Sequence, residues 1–129
     1  MRIEEKVAVI TGAGSGIGRA VARELAKRGA GTIVLVDCSD AVRDLAREVE
    51  AESKTRTDAC VGDVTDVAFR AEVFDHVIRR HGVPRICVPA AGITRDRLAA
   101  RVDKQTGRAE LYPIEHFRQV IEVNLVAPV

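Results

Sequence analysis

The residues best suited to chemistry sit in one run near the start, Thr11-Gly12-Ala13-Gly14-Ser15-Gly16-Ile17-Gly18. Glycines at this density let backbone N–H groups approach a phosphate closely, because no Cβ stands in the way. An apolar stretch, Val7 to Ile10, leads in, and a stretch with helical period leads out, so the glycines lie where a strand turns into a helix. First-turn amides and the positive end of a helix dipole attract anions at such a bend. Gly12 suits the sharp turn, Gly16 removes a Cβ where a diphosphate must approach, and Gly18 lets the helix pack on the sheet. Ser15 and Ile17 lie between them and join the expected phosphate contacts. The spacing reads TGxxxGxG rather than GxGxxG, and the absence of a following GK[ST] excludes a P-loop. A glycine loop holding no ligand is the plainer reading of the letters; the strand before and helix after weigh against it.

Three further polar positions could belong to the same site. Asp37 follows the strand Thr32–Val36, 19 residues after Gly18. A carboxylate there can accept hydrogen bonds from both hydroxyls of an adenosine ribose and would repel a 2′-phosphate. This favours NAD over NADP and disfavours a flavin; the alternative is an Asp that merely opens a turn. Asp63 and Val64 follow a third strand, where Asp63 could equally be a turn residue leading to Thr65. Asn124 falls on the apolar stripe of a helix, where an unsatisfied buried amide costs about 1–3 kcal/mol. Pro128 has no N–H to give the Asn124 carbonyl four residues earlier, which leaves that carbonyl open to water. The alternative is a core Asn bonded to neighbouring backbone.

The elements that must position these residues alternate. Strands are expected at Val7–Ile10, Thr32–Val36, Thr57–Val61 (weaker) and Arg85–Val88, with the first, second and fourth nearly continuous in apolar residues, as for strands covered on both faces. Helices are expected along Ile17, Val21 and Leu25, stopped by Gly29; along Val42, Leu45 and Val49, capped by Ser39 or Asp40; and along Val67, Ala71, Phe74 and Ile78, begun by Thr65 or Asp66 and ended at Gly82. A fourth begins near Pro113 and carries Ile114, Phe117, Ile121 and Asn124. The stretch from Val102 to Leu111 fits a small hairpin turning at Thr106-Gly107, inserted before that fourth helix. The pattern is α/β, a Rossmann-type doubly wound parallel sheet of about four strands in the order 3-2-1-4.

Composition narrows the function. With 129 residues there is room for one domain, 1–129. Twenty Lys and Arg against nineteen Asp and Glu leave a net charge of +1, so nothing argues for nucleic acid or an anionic membrane. No apolar run approaches the roughly 20 residues of a membrane span, and no signal-peptide stretch opens the chain. Cys38, Cys60 and Cys87 lack CxxC spacing, and His76, His81 and His116 show no ligand spacing with them, so no metal is expected. The expectation is a cytoplasmic protein.

TGAGSGIG resembles the nucleotide loop of the short-chain dehydrogenase/reductase family, and four further positions match that family in order, covering essentially the entire chain. The resemblance implies an NAD-dependent oxidoreductase passing a hydride between cofactor and an alcohol or ketone, working as a dimer or tetramer. NADP-preferring members often carry a basic residue in the glycine loop or after strand two, where this chain has Ser15 and Cys38. By the same resemblance Asp63 hydrogen-bonds the adenine amino group with the Val64 amide nearby, Ala91 and Gly92 let the backbone pass beneath the adenosine ribose, and Ala90 beside them joins the expected cofactor contacts. Pro89 and Ala90 stand where the family has two Asn residues, so the side-chain bonds that an Asn can make to neighbouring loops are expected to be missing here. Glu122-Val123-Asn124-Leu125 matches the motif around the family's catalytic Asn, which helps place a water in a proton relay. The family's catalytic Ser and Tyr-x-x-x-Lys are absent: the only tyrosine, Tyr112, is followed four residues later by His116. The chain alone is therefore expected to be inactive, the cofactor-binding half of a longer protein cut at its C-terminus, with strand four left as an open edge. A noncatalytic NAD-binding or subunit-pairing module is the alternative.

Overall fold

The computed structural model describes residues 2–128. Its contacts divide the chain into two compact units, one running to Ala91 and the other starting at Gly92.

The first unit is a parallel four-stranded sheet. β1 (Val7–Thr11), β2 (Thr32–Asp37), β3 (Arg56–Val61) and β4 (Ile86–Pro89) lie in the order β3-β2-β1-β4, as the alternation of patterns implied. α1 (Gly16–Lys27), α2 (Ala41–Glu52) and α3 (Val67–His81) connect them. The pleat sends alternate side chains to opposite faces. Ala8, Ile10, Ile33 and Leu35 pack against Ala22 and Leu25 of α1 and Val42, Leu45 and Val49 of α2. Val9, Val34 and Val36 face Val73 and Val77 of α3. Two helices therefore cover one face and a single helix covers the other.

The caps follow local chemistry. Asp66 caps α3 by accepting from the Ala68 and Phe69 amides at 2.8 and 3.3 Å, while the Ser39 hydroxyl accepts from the Ala41 amide at 3.2 Å before α2. Gly29, at φ +79°, ends α1 with its N–H on the Ala26 carbonyl, a left-handed stop that other residues rarely adopt.

Three packing expectations need correction. The inward face of α3 is Val73 and Val77, with Phe69 partly buried beside them, whereas Val67, Ala71, Phe74 and Ile78 are exposed. This helix carries apolar residues on two faces, and the sheet selects the one that meets Val9, Val34 and Val36. On α1 the buried residues are Gly18, Ala22, Leu25 and Ala26, and Ile17 projects into solvent at 76% exposure. β4 is not covered on both faces: Ile86 and Val88 join the core beneath α1 and α2, while Cys87 and Pro89 are exposed. Among the described residues β4 is an edge strand, a position where a proline, lacking a ladder donor, is tolerated.

The second unit contains an antiparallel hairpin, β5 (Ala100–Val102) and β6 (Ala109–Leu111), then α4 (Ile114–Ile121). The turn includes Gly107 at φ +69°, as the Thr106-Gly107 pair suggested. Pro113 stands one position before the helix as its cap rather than within it. After Ile121 the backbone widens to a π-helical turn, Glu122–Val126, in which the Ala127 amide bonds the Glu122 carbonyl five residues back at 2.8 Å.

Candidate functional site

In register, Thr11 pairs with Val36 and Pro89, and Asp37 with Val61, so the strands end together and their loops emerge at one edge of the sheet. That carboxyl edge is where open α/β sheets bind ligands.

The glycine loop is packed below and open above. Gly12 sits at φ +66°, and a Cβ there would lie 2.6 Å from both the Ala90 carbonyl oxygen and the Ala91 nitrogen. A Cβ on Gly18 would lie 2.2 Å from the Gly12 oxygen, so α1 can press against the turn only through glycine. Gly16, at φ +50°, has nothing within 4 Å of its missing Cβ, and Ser15, Gly16 and Ile17 are exposed. Ser15 occupies the cap position of α1 but makes no side-chain cap bond. A helix leaves its first amides without intrahelical partners, so this end of α1 retains donors facing open space. These features fit an anionic group such as a dinucleotide diphosphate.

Asp37 reaches the same loop. Its Oδ2 accepts from the Gly14 amide at 2.8 Å and its Oδ1 from the Ser39 amide at 2.9 Å. An ionised carboxylate has about four acceptor positions, so both oxygens keep capacity for sugar hydroxyls. Sequence reasoning assigned Gly14 no role, yet a Cβ there would stand 3.0 Å from the Asp37 carboxylate and displace it. Its signal was only the density of glycine. Thr11 was also missed: its hydroxyl accepts from the Ala91 amide at 3.2 Å and ties β1 to the segment after β4. Ala90 closes a tight turn, its amide on the Val88 carbonyl at 3.0 Å. These two bonds, one to the Thr11 side chain and one to backbone, brace the segment without the two family Asn side chains.

Asp63 and Val64 follow β3. One Asp63 oxygen accepts from the Thr65 amide at 2.8 Å, so the residue does serve as a turn former, as the alternative reading held. The Val64 carbonyl accepts from the Arg70 guanidinium at 2.6 Å. Gly62 just before them is a further position that the sequence did not flag, because a Cβ there would lie 2.4 Å from the Phe69 ring.

In the second unit, Asn124 is committed to one backbone unit. Its Oδ1 accepts from the Ile93 amide and its Nδ2 donates to the Ile93 carbonyl, both at 2.9 Å. This is the backbone-bonded Asn of the alternative reading, except that the residue is exposed rather than in a core. Gly92 lies against it, with Oδ1 3.4 Å from where a Cβ would be. Glu122–Val126 is a π-helical turn, whereas the expectation at Pro128 rests on α-helical spacing. π turns occur often at functional positions.

Comparison with known proteins agrees with this architecture. The family model described as short chain dehydrogenase matches residues 6–129. The chain is 38% identical over 126 residues to the 3-oxoacyl-[acyl-carrier-protein] reductase FabG of Thermotoga maritima, covering 97% of this chain and 46% of that protein. It is 34% identical over 125 residues to the FabG of Escherichia coli, with the same shares covered. The chain thus spans about half the length of these relatives. Among solved structures, L-sorbose reductase from Gluconobacter frateurii, complexed with NADPH and L-sorbose, superposes with TM-score 0.80 at 29% identity, over 99% of this chain and 46% of that one. A putative D-mannonate oxidoreductase from Haemophilus influenza with bound NAD shares the fold, with TM-score 0.82 at 21% identity, over 96% of this chain and 46% of that one. No helix among the described residues is long and apolar enough to cross a membrane. With the short chain dehydrogenase model matched over residues 6–129, the chain belongs to the short-chain dehydrogenases.

Proposed function

We propose that this chain supplies the dinucleotide site of an NAD-dependent oxidoreductase acting on an alcohol or ketone, in the cytoplasm and as a dimer or tetramer. The observation that carries the cofactor reading is the 2.8 Å bond from the Gly14 amide to Asp37, which holds a carboxylate beside a glycine loop open at Ser15, Gly16 and Ile17. In this reading the exposed amides at the start of α1 bind the diphosphate. Gly12 and Gly18 shape the bend, and Asp37 accepts the ribose hydroxyls. Asp63 and Val64 bound the adenine side, and Ala90, Ala91 and Gly92 pass under the sugar. When bound, NAD supplies the hydride acceptor. Asn124 helps place a water for proton relay. Its side-chain amide is already held by Ile93, so the main-chain carbonyl is the atom that would hold the water.

The preference for NAD over NADP rests on Asp37, since a fixed carboxylate opposes a 2′-phosphate at close range. Asp37→Arg tests it by calorimetry with both cofactors. We expect NAD affinity to fall at least about tenfold, the scale of a lost charge-assisted contact, with NADP gaining. Unchanged NAD affinity removes Asp37 from the site. For the enzyme reading, a chain extended past Val129 should produce NADH from a panel of secondary alcohols, and persistent silence would count against it.

A further inference from the structure

The first unit holds a second cluster of chemistry-bearing side chains, remote from the glycine loop. β3 puts Asp58 in register with Val34, whose side chain belongs to the face under α3, so Asp58 places a carboxylate beside the valines of that face. Along α3, Phe69, Val73, Val77 and His81 recur every four residues, which continues the inward stripe as a histidine in the last turn. His76 flanks that stripe. The result is convergence on one atom: Asp58 Oδ2 lies 2.6 Å from His76 Nε2 and 3.1 Å from His81 Nε2. One ligating atom from each residue falls within 4.8 Å of the other two, and the side chains are only 33% (His76), 14% (His81) and 24% (Asp58) exposed.

We propose that Asp58, His76 and His81 bind one divalent cation of the zinc type, clamping β3 to the C-terminal end of α3. Two imidazoles and a carboxylate are a borderline donor set that suits zinc and cobalt, and three protein ligands leave a fourth position for water. Two ligands of one tetrahedral ion bound at about 2.0–2.1 Å sit about 3.4 Å apart. The 2.6 Å contact is a hydrogen bond closer than that, so the carboxylate must withdraw by about 1 Å to admit the ion, a side-chain adjustment within ordinary rotamer freedom. The Arg80 guanidinium stands 4.0 Å from the same oxygen, but its side chain is 66% exposed and free to turn to solvent as the cation takes its place. The absence of cysteine spacing is no obstacle, because the third ligand comes from a neighbouring strand.

The test uses the full chain without an affinity tag. Calorimetry with zinc chloride should give one ion per chain at micromolar or tighter affinity. His81→Ala and Asp58→Asn, checked for folding by circular dichroism, should each weaken it at least about tenfold. No saturable binding, or binding that both variants and His76→Ala leave unchanged, overturns the proposal. If the variants fail to fold, cobalt added to the unsubstituted chain gives the answer by NMR. Selective broadening of the His76 and His81 ring signals, with His116 spared, supports the site, and broadening of His116 alone or of none overturns it.

Discussion

Gly12 and Gly16 sit in the same loop at similar positive φ, yet their surroundings differ, which separates architecture from ligand binding. In Gly12→Ala, left-handed strain of about 1–2 kcal/mol adds to overpacking, because the new Cβ would stand 2.6 Å from the Ala90 and Ala91 backbone. Backbone cannot rotate away as a side chain can, and overpacking of this kind costs about 1–3 kcal/mol. Together the loss is about 2–5 kcal/mol, a large part of the stability of a small domain. In Gly16→Ala the Cβ meets nothing within 4 Å, so only the strain remains, about 1–2 kcal/mol. Binding should rank the other way among molecules that fold, because the space over Gly16 is where the diphosphate would lie. Urea denaturation of both variants, with NAD titrated calorimetrically into each under conditions where it is folded, measures the two effects independently. Equal destabilisation would refute the packing argument, and a Gly16→Ala chain that binds NAD as tightly as the parent would refute the placement of the diphosphate.

Asn124→Ala removes both bonds to Ile93, at about 0.5–1.5 kcal/mol for a typical bond and less where solvent competes. Hydrogen exchange at the Ile93 amide should therefore quicken severalfold, and unchanged protection would mean that the pair does not hold the segment. The purified 129-residue protein should form no NADH from any alcohol, since it contains no Tyr-x-x-x-Lys; measurable turnover would show that another residue moves the proton. Burial, and then the charge of Asp58, pushes the Cys60 thiol above its ordinary value. At pH 7–8 iodoacetamide should label exposed Cys38 before Cys60, read by peptide mass spectrometry, and the reverse order would contradict the burial of β3 by α3.

What the letters settled alone was local. Val7–Ile10 and Thr32–Val36 read as strands because every residue is apolar or β-branched, and TGAGSGIG read as a bend because only glycine tolerates those angles. Asp66 and Gly82 marked the ends of α3, since caps are made by neighbours in the chain. Strand order and the place of the nucleotide loop followed from the alternation, aided by resemblance. The tertiary structure decided whatever depends on a partner distant in sequence. Gly14 matters because Asp37, 23 residues on, leans against it. α3 turns Val73 and Val77 inward because the sheet offers Val9, Val34 and Val36 there, a choice that the helix's own periodicity left open. The widened turn at Asn124, and the meeting of Asp58 with His76 and His81 from 18 and 23 residues away, are likewise visible only in three dimensions. Sequence spacing reports neighbours along a strand or helix, whereas a sheet brings together atoms whose separation along the chain carries no such signal.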